Sequence, residues 1–175
     1  MPDSETKNSA SAQHASERSP AEQHASERHP SERHPSDGAV MWRRSTDSSG
    51  LTEPRTFVRV FTGPGTLESV TAFYEQLLGV QRDMWFTYPD LDLALAAVGG
   101  FLLIEGTDES VAPFRSTAGT LLVDRVQPYL ERLTAAGAEI TEALKPVPTG
   151  AGFSARHPDG TIIEYVEHRP APDGR

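Results

Sequence analysis

Between residues 56 and 62 the chain alternates as Thr-Phe-Val-Arg-Val-Phe-Thr. A period of two, rich in β-branched and aromatic side chains, predicts a strand. Val58 and Val60 then fall on one face, toward a helix layer, and Phe57, Arg59 and Phe61 on the other. After the turn Gly63-Pro64-Gly65 the period changes. Leu67, Val70, Tyr74, Leu77 and Leu78 recur at helical spacing, Thr66 is suited to cap the first turn, Glu68 suits its dipole, and Gly79 supplies a stop. This spacing predicts a helix over 66–78. Three strands follow near 82–88, 91–98 and 101–105. Pro89-Asp90 separates the first two, and Gly99-Gly100 is a two-residue hairpin signal.

The same order then starts again. Residues 119–123 read as a strand. Asp124 resembles the first member of a capping box, with Gln127 three residues on and Pro128 in the first turn. Val126, Tyr129, Leu130 and Leu133 form an apolar stripe that ends at Gly137. Strands follow near 138–143, 151–157 and 161–167, the last two joined by the turn Pro158-Asp159-Gly160. Strand, helix and three strands are thus written twice, in modules 56–106 and 119–167. The predicted fold is α+β: paired βαβββ modules forming a curved eight-stranded mixed sheet, with two helices on the outer face. The other face is free to curve around a ligand. The linker 106–117 is short and sheet edges need cover, so a homodimer is expected, with exchange of modules left open.

Composition changes the picture mainly at the N-terminus. Only 37% of the 175 residues are hydrophobic, and the deficit lies in residues 1–50. There Gln13-His14-Ala15-Ser16-Glu17-Arg18 recurs as Gln23-His24-Ala25-Ser26-Glu27-Arg28, and Ser26-Glu27-Arg28-His29-Pro30 recurs as Ser31-Glu32-Arg33-His34-Pro35. The repeat has no apolar face, and its prolines interrupt any helix, so a disordered low-complexity tail is expected over 1–50 and a folded domain over 51–175. His14, His24, His29 and His34 form either a metal-binding tract or, the favoured reading, solvated sequence. A further reading places the translational start at Met41. There are no cysteines, which excludes disulfides and Cys-ligated zinc. No apolar run is long enough to span a membrane or to serve as a signal peptide, so a cytoplasmic protein is expected. The net charge of -9 argues against a nucleic-acid partner.

Three stretches carry a family resemblance. They are Leu67-Glu68-Ser69-Val70-Thr71-Ala72-Phe73-Tyr74 with Leu77-Leu78-Gly79-Val80, Leu133-Thr134-Ala135-Ala136-Gly137-Ala138-Glu139, and His157-Pro158-Asp159-Gly160-Thr161-Ile162-Ile163-Glu164. In order and at these intervals they resemble the vicinal-oxygen-chelate superfamily, the group of glyoxalases, bleomycin-resistance proteins and extradiol dioxygenases. The resemblance covers residues 56–167. It implies the fold more strongly than any one function, since the superfamily holds lyases, epimerases, dioxygenases, thiol transferases and non-catalytic drug binders.

Metal-dependent members of that superfamily place His, Gln or Glu on the first and last strand of each module. Carried over, the positions fall at Phe57 or Arg59, near Ile104, at Ala118 or Thr120, and at Glu164. Only Glu164 is a usable donor, because Glu105 beside Ile104 points to the opposite face. The resemblance therefore implies a domain without a metal site or cofactor. His157, standing where the family's turn has Asp, is expected to point to solvent. Arg59, if inward, would supply Glu164 with a counter-charge.

The candidate ligand-binding residues are Arg59, Phe61, Trp85, Tyr88, Arg156 and Glu164, with Glu164 also the candidate catalytic base. Trp85 with Thr87, and Phe86 with Tyr88, fall on opposite faces, and alternation alone leaves open which pair lines the concave side. Phe57 and Phe101 are further aromatic candidates. An apolar cleft with few charges suits a small aromatic, hydrophobic or cationic molecule. The expected function is metal-independent binding of such a molecule, as in the bleomycin-resistance branch. The alternatives are a lyase, isomerase or cyclase using Glu164 and Arg59, or a metal-dependent glyoxalase- or dioxygenase-like enzyme.

Overall fold

The structure is a computed structural model that describes residues 41–170. The repeat and the four histidines expected in the tail lie outside the described residues. The strands are β1 (Met41–Arg43), β2 (Arg55–Thr62), β3 (Met84–Tyr88), β4 (Leu93–Val98), β5 (Phe101–Glu105), β6 (Thr117–Leu122), β7 (Glu139–Val147), β8 (Gly150–Arg156) and β9 (Ile162–His168). The helices are α1 (Leu67–Leu78), the single turn α2 (Asp108–Val111) and α3 (Val126–Ala135). None of these helices is long and apolar enough to cross a membrane.

The nine strands form one sheet in the order β1-β3-β4-β5-β2-β6-β9-β8-β7. Read outward from the centre, each half has the same sequence: first strand, last strand, third strand, second strand. In each half the first and last strands, β2 with β5 and β6 with β9, run parallel, and β2 meets β6 antiparallel at the junction. The doubled pattern read from periodicity is therefore the architecture.

The sheet has nine strands rather than the expected eight because Met41–Arg43 pairs with Met84–Phe86 along the edge of the first module. Residues 41–50, expected as tail, are thus built into the fold. Arg43 donates to the carbonyls of Thr149 (2.8 Å) and Arg169 (2.7 Å), and Ser48 Oγ donates to Val123 O (2.7 Å). These contacts connect the edge of the first module to the end of the second. The linker is also not bare: Thr107 caps α2 by accepting from Ser110 N at 3.1 Å, and a 3-10 turn follows over Ala112–Phe114.

Both long helices lie on the convex face. α1 places Leu67, Val70 and Tyr74 against Val60, Val98 and Leu103, and α3 places Val126, Tyr129 and Leu133 against Val123, Phe153 and Tyr165. Leu77 and Leu78, read as part of the buried stripe, are exposed, as is Val58, which no helix covers. Thr66 takes the expected N-cap position of α1 but makes no side-chain bond to the helix, and Arg125 rather than the expected Asp124 stands at the N-cap of α3. Glu105, at the end of β5, accepts from Leu67 N at 2.6 Å, and Glu167, at the end of β9, accepts from Val126 N at 2.8 Å. Each helix start is satisfied by a carboxylate from its own module's last strand, which complements the helix dipole and fixes the helix against the sheet. Gly79, at φ 64°, ends α1 in the left-handed conformation that its lack of a Cβ permits.

Candidate active-site pocket on the concave face

Strand alternation sets what the concave face presents. β3 turns Met84, Phe86 and Tyr88 inward, β4 adds Leu93 and Leu95, and β5 adds Leu102 and Ile104. β7 carries two register irregularities, which bend such a strand, and it brings Glu142, Lys145 and Val147 to the same pocket. The pocket is a concave, mostly apolar space that opens to solvent on one side, the form that small-molecule sites usually take.

Phe57, Thr120 and Glu164 stand side by side across β2, β6 and β9, because Phe57 pairs with Thr120 and Thr120 with Glu164. Arg59, one inward step along β2, reaches back over this row. Its Nη2 donates to Glu164 Oε2 at 2.7 Å, its Nε to Thr120 Oγ1 at 3.0 Å, and its Nη1 to Phe114 O at 3.3 Å. Thr120 Oγ1 in turn donates to Glu164 Oε2 at 2.8 Å. The guanidinium is almost fully buried, with 5% of its side chain exposed against 25% for Glu164. Both bonds to the carboxylate converge on Oε2, leaving Oε1 as an acceptor with no partner among the described residues.

Three of the sequence candidates therefore meet in one pocket: Arg59, Glu164 and Tyr88. The other three do not. Trp85 lies on the convex face against the α1 cluster, since inward Met84, Phe86 and Tyr88 force their odd-numbered neighbours outward. Phe61 points to the concave side but packs against the core there, with the Arg115 guanidinium 5.3 Å from its ring. Arg156 has the inward parity of Ser154, yet it sits past the end of the pocket, where it is exposed and pairs with Glu139 at 3.0 Å. Phe101, a further candidate, stacks on Tyr74 beneath α1 with ring centroids 4.5 Å apart. His157 is half-buried and bonds the Tyr165 hydroxyl at 2.9 Å instead of facing solvent.

Several pocket residues were missed, Glu142, Lys145, Thr149 and His168 among the polar ones. His168, 8% exposed, lines the pocket at the end of β9. Burial, and then the charges of Arg43, Arg55 and Arg169, hold its imidazole down at about 4. The alternation that places Glu164 inward continues through Val166 to His168, so the signal was present in the sequence.

No family model matches this chain, and no curated protein matches it. Solved structures do. An uncharacterised protein from Methanosarcina mazei is 35% identical, with 67% of this chain and 94% of that chain covered and a TM-score of 0.59. Methylmalonyl-CoA epimerase from Mycobacterium tuberculosis is 20% identical over 71% of this chain and 96% of its own, at a TM-score of 0.47. A mutant of 4-hydroxymandelate synthase from Streptomyces coelicolor is 20% identical over 64% and 48%, at 0.41.

The chain belongs with the Methanosarcina mazei protein, and its paired βαβββ sheet has the fold of the vicinal-oxygen-chelate superfamily. Its pocket does not fit the divalent ion that the metal-dependent members of that superfamily are expected to hold. At the positions to which the resemblance carries the donors stand Phe57 or Arg59, Ile104, Ala118 or Thr120, and Glu164. A hard or borderline cation needs several converging N or O donors, and among the described residues no group of three or more His, Asp or Glu side chains could hold one. A guanidinium 2.7 Å from the one remaining carboxylate also brings like charge to where a cation would bind.

Proposed function

We propose that this vicinal-oxygen-chelate protein binds a small aromatic or hydrophobic molecule without a metal ion, as a sequestering rather than a metal-activating member of its superfamily. The observation that carries the reading is the Arg59–Glu164 pair, which supplies the lost cation's charge from within the chain. Around it the pocket is walled by Phe57, Phe86, Tyr88 and aliphatic residues. Such a surface gains from taking apolar ligand area out of water. Glu164 Oε1 gives one oriented acceptor, suited to a ligand donor or cation. The same reading keeps the protein as a homodimer: α1 leaves Phe73, Leu77 and Leu78 exposed on its outer side, apolar surface of a kind that subunit contacts use.

Thermal unfolding of the full chain against a panel of planar aromatic and natural-product compounds tests this. A ligand at a hundred times its Kd is expected to add about 2.7 kcal/mol of stability, and filling the pocket by Leu95→Trp is expected to abolish the gain. A panel that leaves the transition unmoved counts against a binding function.

A further inference from the structure

The concave side of β9 carries two polar groups in an otherwise apolar wall. Glu164 is already engaged by Arg59 and Thr120. His168 lies four residues on, beyond Val166, so the two serve places about 13 Å apart along the strand. Phe57, Met84 and His168 also border a second cavity, closed over by Arg43, Ser48 and Leu51, so His168 stands between the two spaces.

The backbone of His168 is tied to Ser48, through Ser48 N donating to His168 O at 3.0 Å and His168 N donating to Ser48 Oγ at 3.0 Å. Its imidazole has neither a hydrogen bond nor an ion pair with any described residue. The charged groups around it are all spoken for. Arg43 donates to Thr149 O and Arg169 O, Arg55 to Gly99 O and Asp83, and Arg169 to Asp124 O and Glu167. The carboxylates of the second cavity, Asp47 and Asp83, pair with Arg169 and Arg55. A neutral imidazole offers one N–H and one lone pair; the buried side-chain polar atom left without a partner among the described residues is Thr71 Oγ1, so the His168 ring nitrogens open onto cavity space where a ligand can bond them. Three guanidinium groups oppose a cationic ligand at this end. A hydroxyl, which both donates and accepts, matches the ring on either tautomer.

We propose that His168 is a ligand-binding residue that receives the hydroxyl of a phenol-like hydrophobic ligand, an inference that rests on the pocket being a small-molecule site. The test compares 2-naphthol, 2-naphthoate and naphthalene at neutral pH, with affinities measured on the full chain and on His168→Phe and Glu164→Gln. Naphthol is expected to bind about ten-fold tighter than naphthalene, with that ratio lost in His168→Phe, while Glu164→Gln lowers affinity for the compounds together and leaves the naphthol-to-naphthalene ratio above one. In the unaltered protein, naphthol should shift the imidazole 15N resonances of His168 and leave the other five histidines in place. That second readout decides the matter if His168→Phe fails to fold. Equal binding of naphthol and naphthalene overturns the assignment while leaving the pocket a binding site. So does a preference that depends on Glu164 alone. Tighter binding of naphthoate overturns it in favour of an anion site. If none of the three binds, both the assignment and the proposed function fall.

Discussion

Glu164→Ala is expected to destabilise the fold by about 3 kcal/mol. The cost comes from what the substitution strands rather than from what it removes. Arg59 is held with 5% of its side chain exposed, and among the described residues its carboxylate partner is Glu164. The remaining bonds, to Thr120 Oγ1 and Phe114 O, are to neutral groups that satisfy donors but not charge. Thr120 loses its own acceptor in the same step. Glu164→Gln keeps an oxygen at the same place and should cost less than half as much. Replacing both ends, Arg59→Met with Glu164→Leu, removes the buried charges together and should return to within about 1 kcal/mol of the unaltered protein. Urea midpoints at constant m-value read these differences. A cost below about 0.5 kcal/mol for Glu164→Ala would mean that the guanidinium has water to itself and is not buried in the pocket.

His168 is expected to make stability strongly pH-dependent. Its folded imidazole lies at about 4 against an ordinary 6.5, so the unfolded chain binds the proton first as pH falls. Stability is fully present above about 6.5, declines through the window between 6.5 and about 4, and then stops declining on this residue's account. The linked loss across that window is about 3 kcal/mol. Arg43, Arg55 and Arg169 face the ring, and burial is the larger cause. Asp47 and Asp159, exposed and held below the usual carboxylate range by their bonds to Ser49 and Thr161, lose stabilising interactions at lower pH. They separate from His168 by subtraction: the difference between the unaltered chain and His168→Gln, in urea midpoints from pH 7.5 to 4, should shrink steadily as pH falls. A constant difference would place the imidazole in water.

Much of the fold follows from period. The switch from two to helical spacing occurs twice, and Gly63-Pro64-Gly65, Gly99-Gly100 and Pro158-Asp159-Gly160 mark turns between elements, so the paired modules are legible without coordinates. Arg59 and Glu164 were legible as an inward pair for the same reason, once the resemblance fixed which face is concave for β2 and β9. Trp85 and Tyr88 show where alternation stops: it says that two residues face apart but not which faces in, and only the sheet's packing on α1 decides. Arg156 shows a second limit, because parity gives a face but not the distance along the strand at which the pocket ends. β1 is three residues long, too short for any period to register, and it is stable through pairing with β3 and through Arg43. The helix caps were unreadable locally because Glu105 and Glu167 arrive from 38 and 41 residues away.

The decisive measurement is elemental analysis of the full-length protein, purified without chelator, beside Glu164→Gln. With a guanidinium standing against the single carboxylate at the expected donor positions, the two should carry equal amounts of nickel, zinc, iron and manganese, whatever the N-terminal histidines retain. About one equivalent of a divalent metal, present in the unaltered chain and absent from Glu164→Gln, would contradict a metal-free pocket and restore the metalloenzyme reading.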